Sequence, residues 1–449
     1  MKSFAPLLFV AAAAALGCEP SASAPAPGSA GNVTSTAGTA TNSVGGSNAA
    51  AGTSTSGGAG AAQGGSSAIE PDGAGGRVVY TGPGFAPSNV TINDAKAAYE
   101  AWKAAHLEDC TGGVWRVRWE STKLDATVSE GVGYGMLLTV SHGDRAAFDG
   151  LAAYATKMHD ANGLMHWLRY GCDAHYDTKY SGYPDNAASD ADLDVAMALL
   201  MAECKWGDAK YGEQATQVIN AIQQHMFADV AGLHVLLPGD SSWFHDMGGG
   251  CVNYSYLAPA YYRAFAEHVP AAAAFWNQAA SDTYGLLAKA SNPSTGLVRN
   301  WGSADGSSAT ADCFNAYKRA DSYGADAART PWRIATDYLW YTTPEAKAWT
   351  DKVTTWVKGQ GVKNVGTWYN LDGSPDTQAS NFDVHTAVTI GPFAVGAMTL
   401  DQASVDDIAG ELLAIPTTEG SRDANYFPRM LKALSLVALT GQFTRCGGK

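Results

Sequence analysis

Charge is scarce in this chain, and positive charge scarcer still. Of 449 residues only 16% are Asp, Glu, Lys or Arg, against ~25% in an ordinary soluble domain. The 29 Lys and Arg are outnumbered by 43 Asp and Glu, giving a formal net charge of -14. That balance excludes a nucleic-acid binder built on a basic patch. No apolar run at the N-terminus reaches the ~20 residues that span a bilayer. There is no Cys-x-x-Cys pair, so a zinc ribbon is not expected. No self-similarity at 34 or 40 residues supports a solenoid of repeats.

What is present falls into unlike parts. Lys2 followed by the apolar stretch Leu7 to Leu16 reads as a signal peptide. Gly17 before Cys18 is similar to a bacterial lipoprotein signal, which would make Cys18 a lipidated N-terminus and confine any membrane contact to that anchor. An incidental Cys after an ordinary secretory signal is the plainer alternative. Of the 57 residues from Glu19 to Gly75, 43 are Gly, Ala, Ser or Thr, and only Glu19, Glu70 and Asp72 are charged. Such a segment has little to bury in return for ordering its chain. The expected organisation is therefore a leader over 1–18, a tether over 19–76 and one folded domain over 77–449. Six Cys remain in that domain: Cys110, Cys172, Cys204, Cys251, Cys313 and Cys446. An even number in an exported chain predicts two or three disulfides, with pairing open.

The domain reads as helical. Apolar residues recur at helical spacing over Ala95–His106, Ala146–Met158, Asp192–Trp206, Gly212–Met226, Tyr256–Glu267, Ala271–Ala290, Pro331–Trp340, Pro344–Lys358 and Phe427–Leu439. Few segments alternate with period two. Paired helices closed into a barrel, with aromatic residues gathered at one mouth, fit this pattern; a helical bundle is the alternative.

Three acidic motifs stand out. In Ser129-Glu130-Gly131-Val132-Gly133-Tyr134-Gly135-Met136 the glycines suit close helix packing rather than a dinucleotide. Glu130 could act in chemistry or merely favour the positive end of its helix. In Ser189-Asp190-Ala191-Asp192-Leu193-Asp194, Ser189 and Asp192 have the spacing of an N-cap and N3 pair. No His lies near enough to make that motif a metal site. In Asp326-Ala327-Ala328-Arg329-Thr330-Pro331-Trp332-Arg333, Asp326 and Arg329 could be a local ion pair. Pro331 suits a first helical turn. Trp332 and Arg333 offer the stacking face and hydrogen-bond donors that sugars require.

Together and in this order, the three motifs resemble those of the family-8 glycoside hydrolases. The match extends from Ser189 through Leu200 to Lys205-Trp206-Gly207, with a weaker one at Tyr254-Ser255-Tyr256, Pro259 and Tyr262. The resemblance implies an all-α (α/α)6 barrel and inversion at the anomeric carbon. It implies Glu130 as proton donor and Asp326 as the base that activates water. Asp190 and Arg329 would hold the distorted sugar beside the scissile bond. Trp167 and Trp243 would stack on the substrate, and Tyr426 would face the cleft. Two positions depart from the family pattern: Ala325 stands before the base where Tyr is common, and Asn253 precedes Tyr254 where Pro is common. The expected protein is an exported, monomeric endo-β-1,4-glucanase acting on cellulose or mixed-linkage glucan, with no cofactor or metal. A xylanase, a chitosanase or a weakened glycan-binding lipoprotein are the alternatives. Inversion requires two carboxyls ~6.5–9.5 Å apart, with the donor protonated and the base ionised.

Overall fold

The computed structural model describes residues 82–119, 125–177, 185–317, 319–418 and 420–445. The expected leader, Cys18, the tether and Cys446 lie outside the described residues.

In chain order the helices are α1 (Ile92–His106), α2 (Ser129–His142), α3 (Arg145–Met158), α4 (Ser189–Trp206) and α5 (Ala209–His225). Then come the short α6 (Ser242–Asp246), α7 (Pro259–His268), α8 (Ala273–Ala290), the short α9 (Ala311–Ala316) and α10 (Thr330–Tyr341). The chain ends with α11 (Pro344–Gln360), α12 (Ala387–Ala397), α13 (Gln402–Ala414) and α14 (Tyr426–Leu439). Helices α2, α4, α7, α10, α12 and α14 pack each on the next, and α14 returns to α2, closing a ring. Helices α1, α3, α5, α8, α11 and α13 lie against them as the outer layer. This is the expected (α/α)6 barrel.

Composition separates the two layers. Every residue of α12 and α14 is buried, and so is nearly all of α2. A helix apolar all round belongs inside. The outer helices α3 and α5 bury one stripe and carry a side-chain cap, Asp144 for α3 and Asp208 for α5. Helix α1 begins with a complete capping box from Thr91 and Asp94. Polar residues also cross the interior. Arg333 on α10 makes a two-pronged ion pair with Asp194 on α4, at 2.5 and 2.7 Å, with both side chains buried. On α2, a Cβ at Gly133 would lie 2.9 Å from Ala191 O and from Asp194 Cβ. That glycine allows α2 and α4 to approach closely, as the alternating glycines suggested.

Among the described residues, three antiparallel two-stranded ribbons punctuate the loops: β1 (Leu107–Asp109) with β2 (Trp115–Val117), β3 (Ala126–Val128) with β4 (Leu168–Tyr170), and β5 (Phe227–Val230) with β6 (Leu233–Leu236). The β3–β4 pair matters most, because it delivers the chain into α2 with Val128 opposite Leu168. Disulfides join Cys110 to Cys172 and Cys251 to Cys313, and Cys204 is disulfide-bonded as well. Beside the main core lies a smaller apolar cluster around Cys251, Cys313, Trp301 and Tyr317.

Candidate active site

The N-terminal ends of inner helices supply the site. Glu130 is the second residue of α2, Asp190 the second of α4 and Tyr426 the first of α14. Asp326 directly precedes the 3-10 turn Ala327–Arg329 that leads into α10, and Tyr256 closes the turn Tyr254–Tyr256 ahead of α7. Unpaired backbone N–H groups at such ends favour negative charge.

Arg329 organises the carboxylates. Its Nη1 donates to Glu130 Oε2 at 2.5 Å and to Asp190 Oδ2 at 2.9 Å, and its Nη2 donates to Asp326 Oδ1 at 3.0 Å. The Tyr256 ring lies 5.1 Å from the guanidinium carbon. Tyr426 donates its hydroxyl to Glu130 Oε1 at 3.0 Å, and Trp301 Nε1 donates to Asp326 Oδ2 at 3.0 Å. Exposure sorts the acids: Asp190 and Arg329 side chains are 3% and 2% exposed, whereas Asp326 and Glu130 are 15% and 20% exposed. The two acids to which the resemblance assigns proton transfer are the two that are more exposed.

Their surroundings raise both acids. Burial pushes the Glu130 carboxyl up to about 7, with Asp190 and Asp326 adding to the rise, while Arg329 and the Tyr426 hydroxyl oppose it. Burial thus outweighs the helix N-terminus, which favours the ionised form. Burial also raises Asp326, with Asp190 adding to the rise; Arg329, the Trp301 indole and the Asn253 side chain oppose it without cancelling it. Burial disfavours the Arg329 charge, yet Tyr134 and the three carboxylates keep the guanidinium firmly protonated.

One carboxyl raised to about 7 and a second, partly open carboxyl, both bound to a single guanidinium, are the kinds of group that acid–base chemistry requires. The sequence profile described as "Glycosyl hydrolases family 8" matches residues 84–441. The chain belongs to this family. It is similar to "Endoglucanase A" of Acetivibrio thermocellus, with 34% identity over 80% of this chain and 72% of that protein. It is also similar to "Endoglucanase 2" of Ruminiclostridium josui, with 35% identity over 78% of this chain and 72% of the relative. Among solved structures, the "Beta-1,3-1,4-glucanase from Paenibacillus sp.X4" superposes with a TM-score of 0.69 at 27% identity, covering 81% of this chain and 96% of that one. The protein is accordingly a glycoside hydrolase of the inverting type.

Within this family 8 enzyme, Glu130, Asp190, Asp326, Arg329 and Tyr426 come together. Trp167 and Trp243 are half-buried. The Trp167 carbonyl accepts from Ser129 N at 2.9 Å, which sets Trp167 beside the start of α2. Trp243 lies on α6 against Phe244. Several readings of single motif residues need correction. Ser189 and Asp192 form no capping pair: Ser189 Oγ donates to Leu237 O at 2.7 Å, and Asp192 Oδ1 accepts from Met165 N at 3.1 Å. Both side chains are buried and tie the start of α4 to neighbouring loops instead. Trp332 offers no sugar platform; it is buried against Tyr134 and Phe443. Arg333 is held by Asp194 rather than left for hydroxyls. The Asp326–Arg329 pair exists, but as part of the four-residue cluster. Trp301 was not foreseen, because it sits in an irregular loop between Asn300 and Gly302 with no periodic signal around it.

Proposed function

We propose that this enzyme cleaves internal β-1,4-glucosidic bonds of cellulose or mixed-linkage β-glucan, with Glu130 as general acid and Asp326 as general base. The observation that carries the reading is the Arg329 fork, which binds Glu130, Asp190 and Asp326 while burial keeps the Glu130 proton available up to about pH 7. Glu130 protonates the departing glycosidic oxygen. The resulting carboxylate is stabilised by Arg329 and by the Tyr426 hydroxyl. Asp326 takes a proton from water, whose oxygen attacks the anomeric carbon on the face opposite the leaving group. Asp190 faces the positive charge that develops at the sugar ring, and Trp167 and Trp243 stack on neighbouring sugars. The names of the relatives support glucan as the substrate.

Each general acid or base typically supplies ~10²–10⁴-fold in rate. Glu130→Gln and Asp326→Asn should each lose at least that much kcat on carboxymethylcellulose or lichenan while keeping the wild-type circular dichroism spectrum. Measured side by side, reducing sugar released by the wild type from soluble β-glucan should exceed that from xylan and chitosan. A preference for either rival polymer would reassign the substrate, and near-normal turnover by Asp326→Asn would move the base elsewhere.

The remaining organisation is proposed from composition. Residues 1–18 direct export, Cys18 carries the lipid anchor, residues 19–76 tether the enzyme, and residues 77–449 form the monomeric catalytic domain at the cell envelope. Among the described residues, no helix is long and apolar enough to cross a membrane.

A further inference from the structure

The two oxygens of Asp326 are held by different parts of the molecule. Oδ1 accepts from Arg329, which belongs to the main barrel, whereas Oδ2 accepts from the Trp301 indole at 3.0 Å. Trp301 is buried and lies flat on Tyr317, with ring centroids 3.5 Å apart and planes inclined by 4°. Tyr317 immediately follows α9, which contains Cys313, and Cys313 is bonded to Cys251. Two residues beyond Cys251 is Asn253, whose side chain also faces Asp326. The backbone around Trp301 is fixed as well: Trp301 N donates to Ala320 O at 2.9 Å, and Gly302 exchanges hydrogen bonds of 2.7 and 2.9 Å with Val252. Cys251, Cys313, Trp301, Tyr317 and Ala320 belong to the small apolar cluster separate from the barrel core.

We infer that Trp301 is a positioning residue for the base Asp326, and that the small cluster closed by the Cys251–Cys313 disulfide holds its indole in place. The inference rests on the reading of Asp326 as the base. One donor on each oxygen fixes the rotation of the carboxylate plane, leaving the remaining lone pairs directed at the water. The indole N–H also favours the ionised form. Without it, Asp326 binds its proton more tightly and is ionised only at higher pH.

The test compares pH profiles of kcat/KM on soluble β-glucan for the wild type, Trp301→Phe, the double variant Cys251→Ala/Cys313→Ala, and Trp349→Phe. The Phe ring preserves the stack on Tyr317 but removes the donor. In Trp301→Phe the acid limb should move up by ~1 pH unit, the scale of one hydrogen bond to a carboxylate. Its kcat should fall by up to ~10²-fold, the scale of misplacing a reacting group, with KM little changed and the alkaline limb fixed. The double Cys variant should move the same limb in the same direction. Trp349, whose indole donates to Ser291 Oγ at 2.8 Å on outer helix α11, serves as the control, and its loss should leave the limb in place. An unmoved acid limb in Trp301→Phe, or an equal shift in Trp349→Phe, would overturn the role of Trp301. An unmoved limb in the double Cys variant would overturn the disulfide brace. Activity retained by Asp326→Asn is a separate result and would remove the base itself.

Discussion

At the scale of single residues, the site is a problem in distributing charge. Glu130, Asp190 and Asp326 meet one guanidinium, so not all of the negative charge can be matched. The most economical solution is for one carboxyl to keep its proton, and the rise of Glu130 to about 7 fits that role. A carboxyl raised in this way favours folding in its protonated form, so its contribution to stability is complete below the unfolded pKa and is lost as pH rises through about 7. With Glu130 as the proposed acid, catalysis has the same sign, because only its protonated form can donate. The kcat/KM profile of the free enzyme should therefore fall on its alkaline side near pH 7, and the acid limb should report Asp326. Initial rates on soluble glucan from pH 4 to 9 check this. An alkaline limb two or more units higher would mean that Arg329 and Tyr426 offset the effect of burial on Glu130 less than described.

At the scale of elements, the barrel places these residues by close helix packing. Glu130 and Asp190 lie at corresponding ends of α2 and α4, and the spacing of those helices is set where Gly133 faces Ala191 and Asp194. Gly133→Ala would press a methyl into backbone and a buried ion pair. Overpacking of this kind typically costs ~1–3 kcal/mol, and denaturant unfolding should show a loss in that range. Because the strain falls between the acid and Asp190, kcat should drop more than KM rises. Much of this level was legible in the sequence. The outer helices α1, α3, α5, α8 and α11 declared themselves by their apolar stripes, whereas α13 was not foreseen, and Pro331 marked the first turn of α10. Helix α12 was missed because every one of its residues is buried, which erases the periodicity, and because Pro392 interrupts it. The span Tyr256–Glu267 merged a 3-10 turn with α7, although Pro259 marks the true start. Trp332 was misjudged because an aromatic beside an acid reads alike whether it faces a sugar or the core. Glu130, Asp190 and Asp326 were legible only as motifs, and their meeting at Arg329 depends on the closed ring.

At the scale of the molecule, a barrel with its acids at one end acts on a long polymer, and the residues before it are proposed to serve delivery rather than chemistry. A chain starting at Val78, exported by an unrelated signal sequence, should keep its kcat/KM on soluble glucan within about twofold but appear in the soluble fraction rather than with membranes. This follows because surface changes distant from a site seldom alter it, while the only anchor proposed is Cys18. Loss of most activity in the shortened enzyme would show that residues 19–76 contribute to the site. The central claim concerns the two open carboxyls on one guanidinium, one giving a proton and the other activating water. Proton NMR of the first-formed product from a β-linked glucan tests it most directly. The account predicts that the nascent reducing end is the α anomer, converting to the β form only by mutarotation. A product that first appears as the β anomer would mean retention through a covalent intermediate and would contradict Asp326 as the water-activating base.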